Sequence, residues 1–366
     1  MLIDIHMIQN HSPSNLNRDD LGAPKTCYFG GVLRNRISSQ CLKRSIRMSE
    51  EFKDLLGGFR TRRLAEEISS RVEGDGIKEK VTKILKECGL DEKKNDTTKT
   101  AIYVSQKAIN EMAKLVIEKL SDKQLADCFC KLIAEEVAVP DMALCGRMLE
   151  TGVIKNTTVE AALQAAHAIS THQAVSEVDY FVAADDLPGD DAGAAYVDEA
   201  MFASACFYKY FSIDWNQLVT NLKGNEKLAA HTVGAFLRGA ALTSPTGKQN
   251  SFAAHNPPEG IVVEIKDTPI SYANAFAAPA PLAGSRDMVS QSIAQLGQYI
   301  HDIDTGFGGP KNRFWFSPNL RQKLEYVKDK KMETLGEQIE SLNTLVERLI
   351  SEIGFNWQDV QNVKIN

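Results

Sequence analysis

Between Leu21 and Ser49 the chain has no aspartate and no glutamate, although its 366 residues carry 48 acidic against 42 basic side chains and a formal charge of −6. Lys25, Arg34, Arg36, Lys43, Arg44 and Arg47 lie in that acid-free stretch. A local basic surface on an acidic protein points to a polyanionic partner. Other absences narrow the class further. No apolar run approaches the roughly 18 residues of a membrane span, and Met1-Leu2-Ile3-Asp4-Ile5-His6 lacks the basic start and cleavage site of a signal peptide. A cytoplasmic globular protein of one large or two interleaved domains is expected. The 7 cysteines form an odd set without C-x-x-C spacing, which argues against a disulfide framework and a zinc site. Gly247-Lys248 is not the end of a P-loop, because Leu242 stands five positions earlier and Gln249 follows the lysine. Gly306, Gly308 and Gly309 do not make G-x-G-x-x-G either. No cofactor is expected.

What is present begins with the tail of the basic stretch. Ser38 or Ser39 can cap a helix through a hydroxyl that accepts from a first-turn N–H. On such a helix Gln40, Lys43, Arg44 and Arg47 fall at i, i+3, i+4 and i+7 and share a face, while Leu42 and Ile46 point elsewhere, toward a core. Gly30 and Gly31 ahead of it can bring backbone N–H groups close to phosphates. A merely solvated basic face is the competing reading.

Along the chain, Leu2 to Gln9 reads as a strand, followed by a turn-rich loop from His11 to Asp20. Amphipathic helices are expected at Arg62–Val72, Ile77–Glu87, Lys99–Leu120 and Asp122–Val137, forming an inserted helical subdomain. An Ala-rich helix is expected over Val159–Thr171. Val178–Val182 and Met201–Ile213 then read as two strands around a polar loop, a protruding hairpin. Asn225–Leu242 reads as a helix, Gly260–Lys266 as a strand, and Arg286–Asp304 and Lys331–Ile353 as helices. Without the insertion the order is β-α-β-β-α-β, an α+β fold with a ferredoxin-like or RRM-like sheet. The expected layout is 1–49 first palm part, 50–158 helical insertion, 159–213 second palm part with a hairpin at about 179–205, and 214–366 the remainder.

Several blocks carry a specific resemblance: His11-Ser12-Pro13-Ser14, Leu16-Asn17-Arg18-Asp19-Asp20, Phe29-Gly30-Gly31, Arg36-Ile37-Ser38-Ser39-Gln40 and Leu42-Lys43-Arg44. Ala143–Met148, Ala165–Gln173, Asp185-Asp186-Leu187, Gly247-Lys248-Gln249 and Ser271–Phe276 follow in order. The sequence resembles the repeated backbone subunit of the type I-E CRISPR Cascade complex, the CasC or Cse-type family, through roughly its first 300 residues. The resemblance implies an RRM-like palm, helical fingers and a thumb hairpin. It also implies a non-catalytic, cytoplasmic subunit stacked in several copies along a CRISPR RNA (crRNA). Its partners would be crRNA, a target DNA strand, further copies of itself, and the large, small, crRNA-capping and crRNA-processing subunits. Carried onto this chain, the RNA-contacting set is Arg18, Gly30, Gly31, Arg34, Arg36, Ser38, Ser39, Gln40, Lys43, Arg44, Arg47, Arg147, Lys248 and Gln249. Met148 would be an apolar wedge, and Tyr180, Phe181 and Val182 would lie at the thumb base. Cations and amides hold phosphates of any sequence, leaving bases free to pair.

Competing readings stay open at this stage. Asp19 and Asp20 could hold a divalent metal for RNA cleavage, or serve the loop's own structure. An RNA-independent scaffold whose basic helix meets an acidic protein is a third reading. His167 and His172 are five apart on an expected helix, poor metal spacing, and read as core or hydrogen-bonding histidines. Asp185, Asp186, Asp190 and Asp191 read as a solvated loop tip. Met148 is either wedge or core, and Tyr180 and Phe181 either stack on bases or pack in a strand.

Overall fold

A computed structural model of the chain describes residues 1–90, 92–93, 97–98, 101–149, 153–154, 157–183, 196–281 and 287–365. They divide into two compact units. One comprises Met1–Glu51, Gln164–Ser212 and Gly234–Trp357, the other Phe52–Leu163, Ile213–Val233 and Gln358–Asn366. The chain opens with β1 (Leu2–Ser14), β2 (Thr26–Phe29), β3 (Val32–Ile37) and α1 (Ser39–Arg47). Next come β4 (Gly58–Thr61), α2 (Leu64–Ser69), α3 (Ile77–Glu87), the two-residue β5 (Glu92–Lys93) and β6 (Thr97–Thr98), β7 (Ile102–Ser105), α4 (Gln106–Val116), α5 (Asp122–Glu135) and α6 (Pro140–Cys145). β8 (Leu163–Ala165), β9 (Ala168–Ser170), β10 (Glu177–Ala183), β11 (Tyr196–Asp214), α7 (Trp215–Asn221), α8 (Glu226–Leu242), α9 (Gln249–Phe252) and β12 (Gly260–Lys266) follow. The last elements are α10 (Met288–Phe307), β13 (Asn312–Phe316), β14 (Glu325–Lys328), β15 (Lys331–Thr334), β16 (Glu337–Ile339), α11 (Leu342–Glu352) and α12 (Trp357–Val360). No helix among the described residues is long and apolar enough to cross a membrane.

The first unit is built on a mixed sheet in the order β16-β13-β12-β1-β11-β9-β3-β2. Its centre is β12-β1-β11-β9, with α1 following β1 and α8 joining β11 to β12. Both faces are covered, so β1 is buried on both sides rather than alternating. On one face Phe211 meets Phe236 of α8 edge-on, 5.3 Å between centroids. The other face is roofed by α10: Ile293, Leu296 and Ile300 pack with Ile8, Tyr208, Val262 and Trp315. Beneath that roof His6 stacks on Tyr272 at 4.5 Å, and Glu264 accepts from Arg313 Nε at 2.6 Å and Tyr272 OH at 2.9 Å, with Lys266 beside it. Against a large desolvation penalty, the His6 imidazole first and then Arg313 and Lys266 hold the Glu264 carboxyl well below its ordinary range.

The second unit is a helical core in which Leu64, Ile68, Val81, Ile84, Met112, Leu125, Phe129 and Ile133 are fully buried together. Its helices start where small hydroxyl residues cap them. Ser105 caps α4, and Ser121 with Gln124 forms a reciprocal capping box on α5.

Several expected elements are corrected. Val159–Thr171 is not a helix: it holds β8 and β9, and Ala168, Ile169 and Ser170 are buried between β3 and β11. Alanine's helix preference, a few tenths of a kcal/mol per residue over most others, is overridden by sheet burial. His167 and His172 flank β9 instead of sharing a helix. Lys331–Ile353 is helical only from Leu342. Gly336 at φ +76° breaks the run, and Ser341 caps α11 by accepting from Thr344 N–H. β1 continues through the expected loop as far as Ser14, and Lys99–Leu120 begins as strand β7 before Ser105 starts the helix. Asp185-Asp186-Leu187, Asp190 and Asp191 lie outside the described residues.

Candidate nucleic-acid interface

The basic helix forms as its sequence dictates. Ser38 Oγ accepts from Cys41 N–H at 3.3 Å, Leu42 and Ile46 are buried, and Gln40 and Arg44 are exposed with Lys43 and Arg47 half-buried. Its entry is pinned from two sides. Asn17 Oδ1 accepts from Ser38 N–H at 2.9 Å, and His167 Nδ1 accepts from Ser39 N–H at 3.0 Å. Partial burial, then the charges of Arg36 and Lys25, lower the His167 pKa and keep the ring neutral.

Beside this helix three segments converge on a cavity of about 520 Å³. Arg18, Asp19 and Asp20 come from the loop after β1, Cys41, Arg44 and Ser45 from α1, and Thr246 and Gly247 from the loop after α8. The convergence depends on Gly247, because a Cβ there would sit 2.5 Å from the carbonyl oxygen of Leu16. Asp19 has a structural task in this wall: one carboxylate oxygen accepts from both Leu21 and Ala23 N–H at 2.9 Å, closing the loop. Asp20 is exposed. Lys248 follows Gly247 at φ +51° and is half-buried.

Other residues in the expected RNA-contacting set have internal roles. Arg34 is fully buried, donating to the carbonyls of Ser170 at 3.0 Å, Phe276 at 2.6 Å and Ala277 at 3.3 Å. It clamps the β2–β3 hairpin to the 273–277 turn, which is why its charge does not reach the surface. Arg147 is likewise buried, donating to the carbonyls of Thr157 at 2.7 Å and Ile133 at 2.6 Å, and burial pushes its pKa down to about 10. Ser38 and Ser39 are buried at the helix entry. The Gln249 amide donates to Pro245 O at 2.9 Å. Gly30 and Gly31, at φ +60° and +81°, form the two-residue turn of the β2–β3 hairpin. Gly30 is pressed onto the Ala277 carbonyl and serves close packing, whereas Gly31 faces open space. Arg36 is half-buried, with Nε donating to Thr26 O at 3.3 Å.

The apolar residues lie outside the core. Met148 is 77 % exposed, which removes the core-methionine reading. It follows a turn in which Gly146, at φ +72°, lies against the Val159 carbonyl. Tyr180, Phe181 and Val182 lie on β10, paired with Glu199, Asp198 and Val197 of β11, and are 71 %, 40 % and 58 % exposed. Buried strand packing therefore does not account for Tyr180. Asn17, Cys41, Ser45 and Thr246 also line the cavity, yet nothing in their local sequence distinguishes them; only the tertiary meeting of two loops with α1 does.

Asp4, His6 and Glu264 are the one group among the described residues with carboxylate–imidazole spacing suited to a cation. Lys266 and Arg313 already pair with these carboxylates, making the group a buried ion-pair network. It belongs to the sheet, on β1 and β12.

A comparison with curated protein sequences finds no match. Among solved structures, a chain of a "CRISPR RNA-guided surveillance complex, pre-nicking" is similar with a TM-score of 0.81 and 29 % identity, covering 96 % of this chain and 100 % of that one. A chain of a "CRISPR RNA-guided surveillance complex" is similar at a TM-score of 0.64 and 26 % identity, again over 96 % and 100 %. The family described as CT1975-like protein (Cas_CT1975) matches residues 3–348. The chain thus belongs to the CT1975-like protein family of CRISPR-associated proteins.

Proposed function

We propose that this protein is a non-catalytic RNA-binding backbone subunit of a type I-E-like Cascade surveillance complex. Several copies coat the crRNA spacer through phosphate contacts and leave its bases free to pair with target DNA in antiviral defence. The observation that carries the reading is the convergence of Arg18, Arg44 and the Thr246-Gly247 loop around one cavity beside the outward face of α1. Phosphate binding by such side chains is independent of base identity. Asp19, tied to two backbone donors, fits a loop-closing role better than a metal-holding one.

The strand order β12-β1-β11-β9, with helices after the first and third of these strands in the chain sense, supports the ferredoxin-like palm reading. The helical second unit corresponds to the fingers, and the β10–β11 hairpin to the thumb. Because α10 roofs the sheet face, RNA in this reading lies on helix and loop edges and not across the strands, unlike a standard RRM. Further copies, target DNA and the other Cascade subunits are the partners.

The test is to purify the protein and size its bound nucleic acid on a denaturing gel, beside a Lys43→Ala/Arg44→Ala/Arg47→Ala variant. A discrete RNA of repeat-plus-spacer length, lost or reduced in a folded variant, is expected. Full retention in that variant contradicts the reading.

A further inference from the structure

A cluster of three lysines lies at the other end of the chain, at the tip of the β14–β15 hairpin, whose residues 325–334 otherwise balance them with Glu325, Asp329 and Glu333. The hairpin forms its own two-stranded sheet, and six of its eight strand residues are exposed. Its base is fixed to α10: the Tyr326 ring stacks on His301 at 3.8 Å, and Val327 N–H donates to Gln298 Oε1 at 3.1 Å. From Lys328 to Lys331 the tip reads Lys-Asp-Lys-Lys, all four residues exposed. None of the three lysines is held in a salt bridge among the described residues.

Two local features of this tip work against its own stability. The turn residues Asp329 and Lys330 have φ of +49° and +65°. A two-residue turn of this hand favours Asp-Gly, and a lysine in the glycine position is strained. In addition, Lys328 and Lys331 face each other directly across the two strands, where like charges repel. Glycine at 330 and a neutral residue at 328 would relieve both. The sequence instead keeps three cations at the tip, and a polyanion would neutralise the repulsion.

We infer that the 325–334 hairpin is a docking ribbon for double-stranded DNA, inserted tip-first into the major groove. A two-stranded ribbon matches a B-form major groove about 12 Å wide, whereas the A-form groove of duplex RNA is too narrow. Arg321 and Lys323, both exposed, line a cavity of about 490 Å³ at the hairpin's foot together with Glu325, Asp287 and Met332, and would extend the cationic track along the flanking backbone. This surface is separate from the α1 site and does not require the guide-RNA reading.

The experiment uses the full chain and titrates a labelled 20-base-pair DNA duplex, and an RNA duplex of the same sequence, by fluorescence anisotropy over a series of salt concentrations. Lys330→Gly and Lys328→Thr are each expected to raise the melting temperature while weakening DNA binding several-fold. Lys328→Ala/Lys330→Ala/Lys331→Ala is expected to flatten the salt dependence by about 0.9 per lost phosphate contact. Stabilised variants with unaltered DNA affinity and salt slope would overturn the inference. So would an equal loss of affinity for the RNA duplex.

Discussion

Ser39 and His167, 128 positions apart, are joined by a backbone N–H that donates to Nδ1 at 3.0 Å. An accepting Nδ1 places the ring proton on Nε2. The histidine thereby satisfies one of the free donors at the start of the basic helix without adding charge beside Arg36 and Lys25. The expected result is a neutral Nε2–H tautomer near pH 7, read from ¹⁵N shifts of the ring. His167→Phe is expected to cost about 1 kcal/mol of stability through the lost acceptor. A protonated ring at neutral pH would contradict this arrangement.

Arg34 and Arg44 lie on the same basic stretch but should respond oppositely to mutation. Arg34→Ala leaves buried carbonyls of Ser170 and Phe276 without donors and is expected to destabilise by about 3 kcal/mol or more. Arg44→Ala, at an exposed helical position, should change stability by less than about 0.5 kcal/mol. It should, however, flatten the salt dependence of single-strand RNA binding by about 0.7. Denaturant melts and binding isotherms separate the two effects.

The two glycines of the β2–β3 turn make a paired comparison. A Cβ on Gly30 would lie 1.7 Å from the Ala277 carbonyl oxygen, whereas one on Gly31 meets nothing within 4 Å. Gly31→Ala therefore costs only backbone strain, about 1 kcal/mol, while Gly30→Ala forces the hairpin off the 273–277 turn and costs several times more. Equal melting temperatures for the two variants would refute the close-packing account.

His11 gives a pH prediction. Burial, and secondly the charge of Lys209, push its pKa down from 6.5 to about 3. Below pH 6.5 the unfolded chain takes up a proton that the folded chain does not, so stability falls as pH drops from about 6.5 toward 3, by at most about 1.4 kcal/mol per pH unit for this ring. Above pH 6.5 this group adds no dependence. His11→Phe should remove one proton's worth of slope in urea melts between pH 6 and 4. An unchanged slope would mean that the remaining depressed histidines, His167, His172 and His231, account for all of it.

The sequence made some of this legible and hid the rest for physical reasons. Gly260–Lys266 matches β12 residue for residue, and the Ser38 cap with its Leu42/Ile46 inner face is as expected, because both are local patterns. The Ala-rich 159–171 segment misled because its burial between β3 and β11 is a long-range fact. Arg34 reads as surface charge, and the resemblance puts Arg147 among the RNA contacts, because a cation's sequence neighbours carry no signal of the carbonyls that fold around it. The cavity wall of Asn17, Cys41, Ser45 and Thr246 was invisible for the same reason.

The roof that α10 places over the sheet has a consequence for how the molecule can change over time. The sheet residues beneath it answer to packing, while the contacts proposed for RNA and DNA lie on α1, its neighbouring loops and the tip of the β14–β15 hairpin. Replacing an exposed rim cation such as Arg44 is therefore expected to alter affinity with little effect on folding, and replacing a buried sheet residue to do the reverse. A chain only 26 % identical over nearly the whole length still shares the frame, at a TM-score of 0.64.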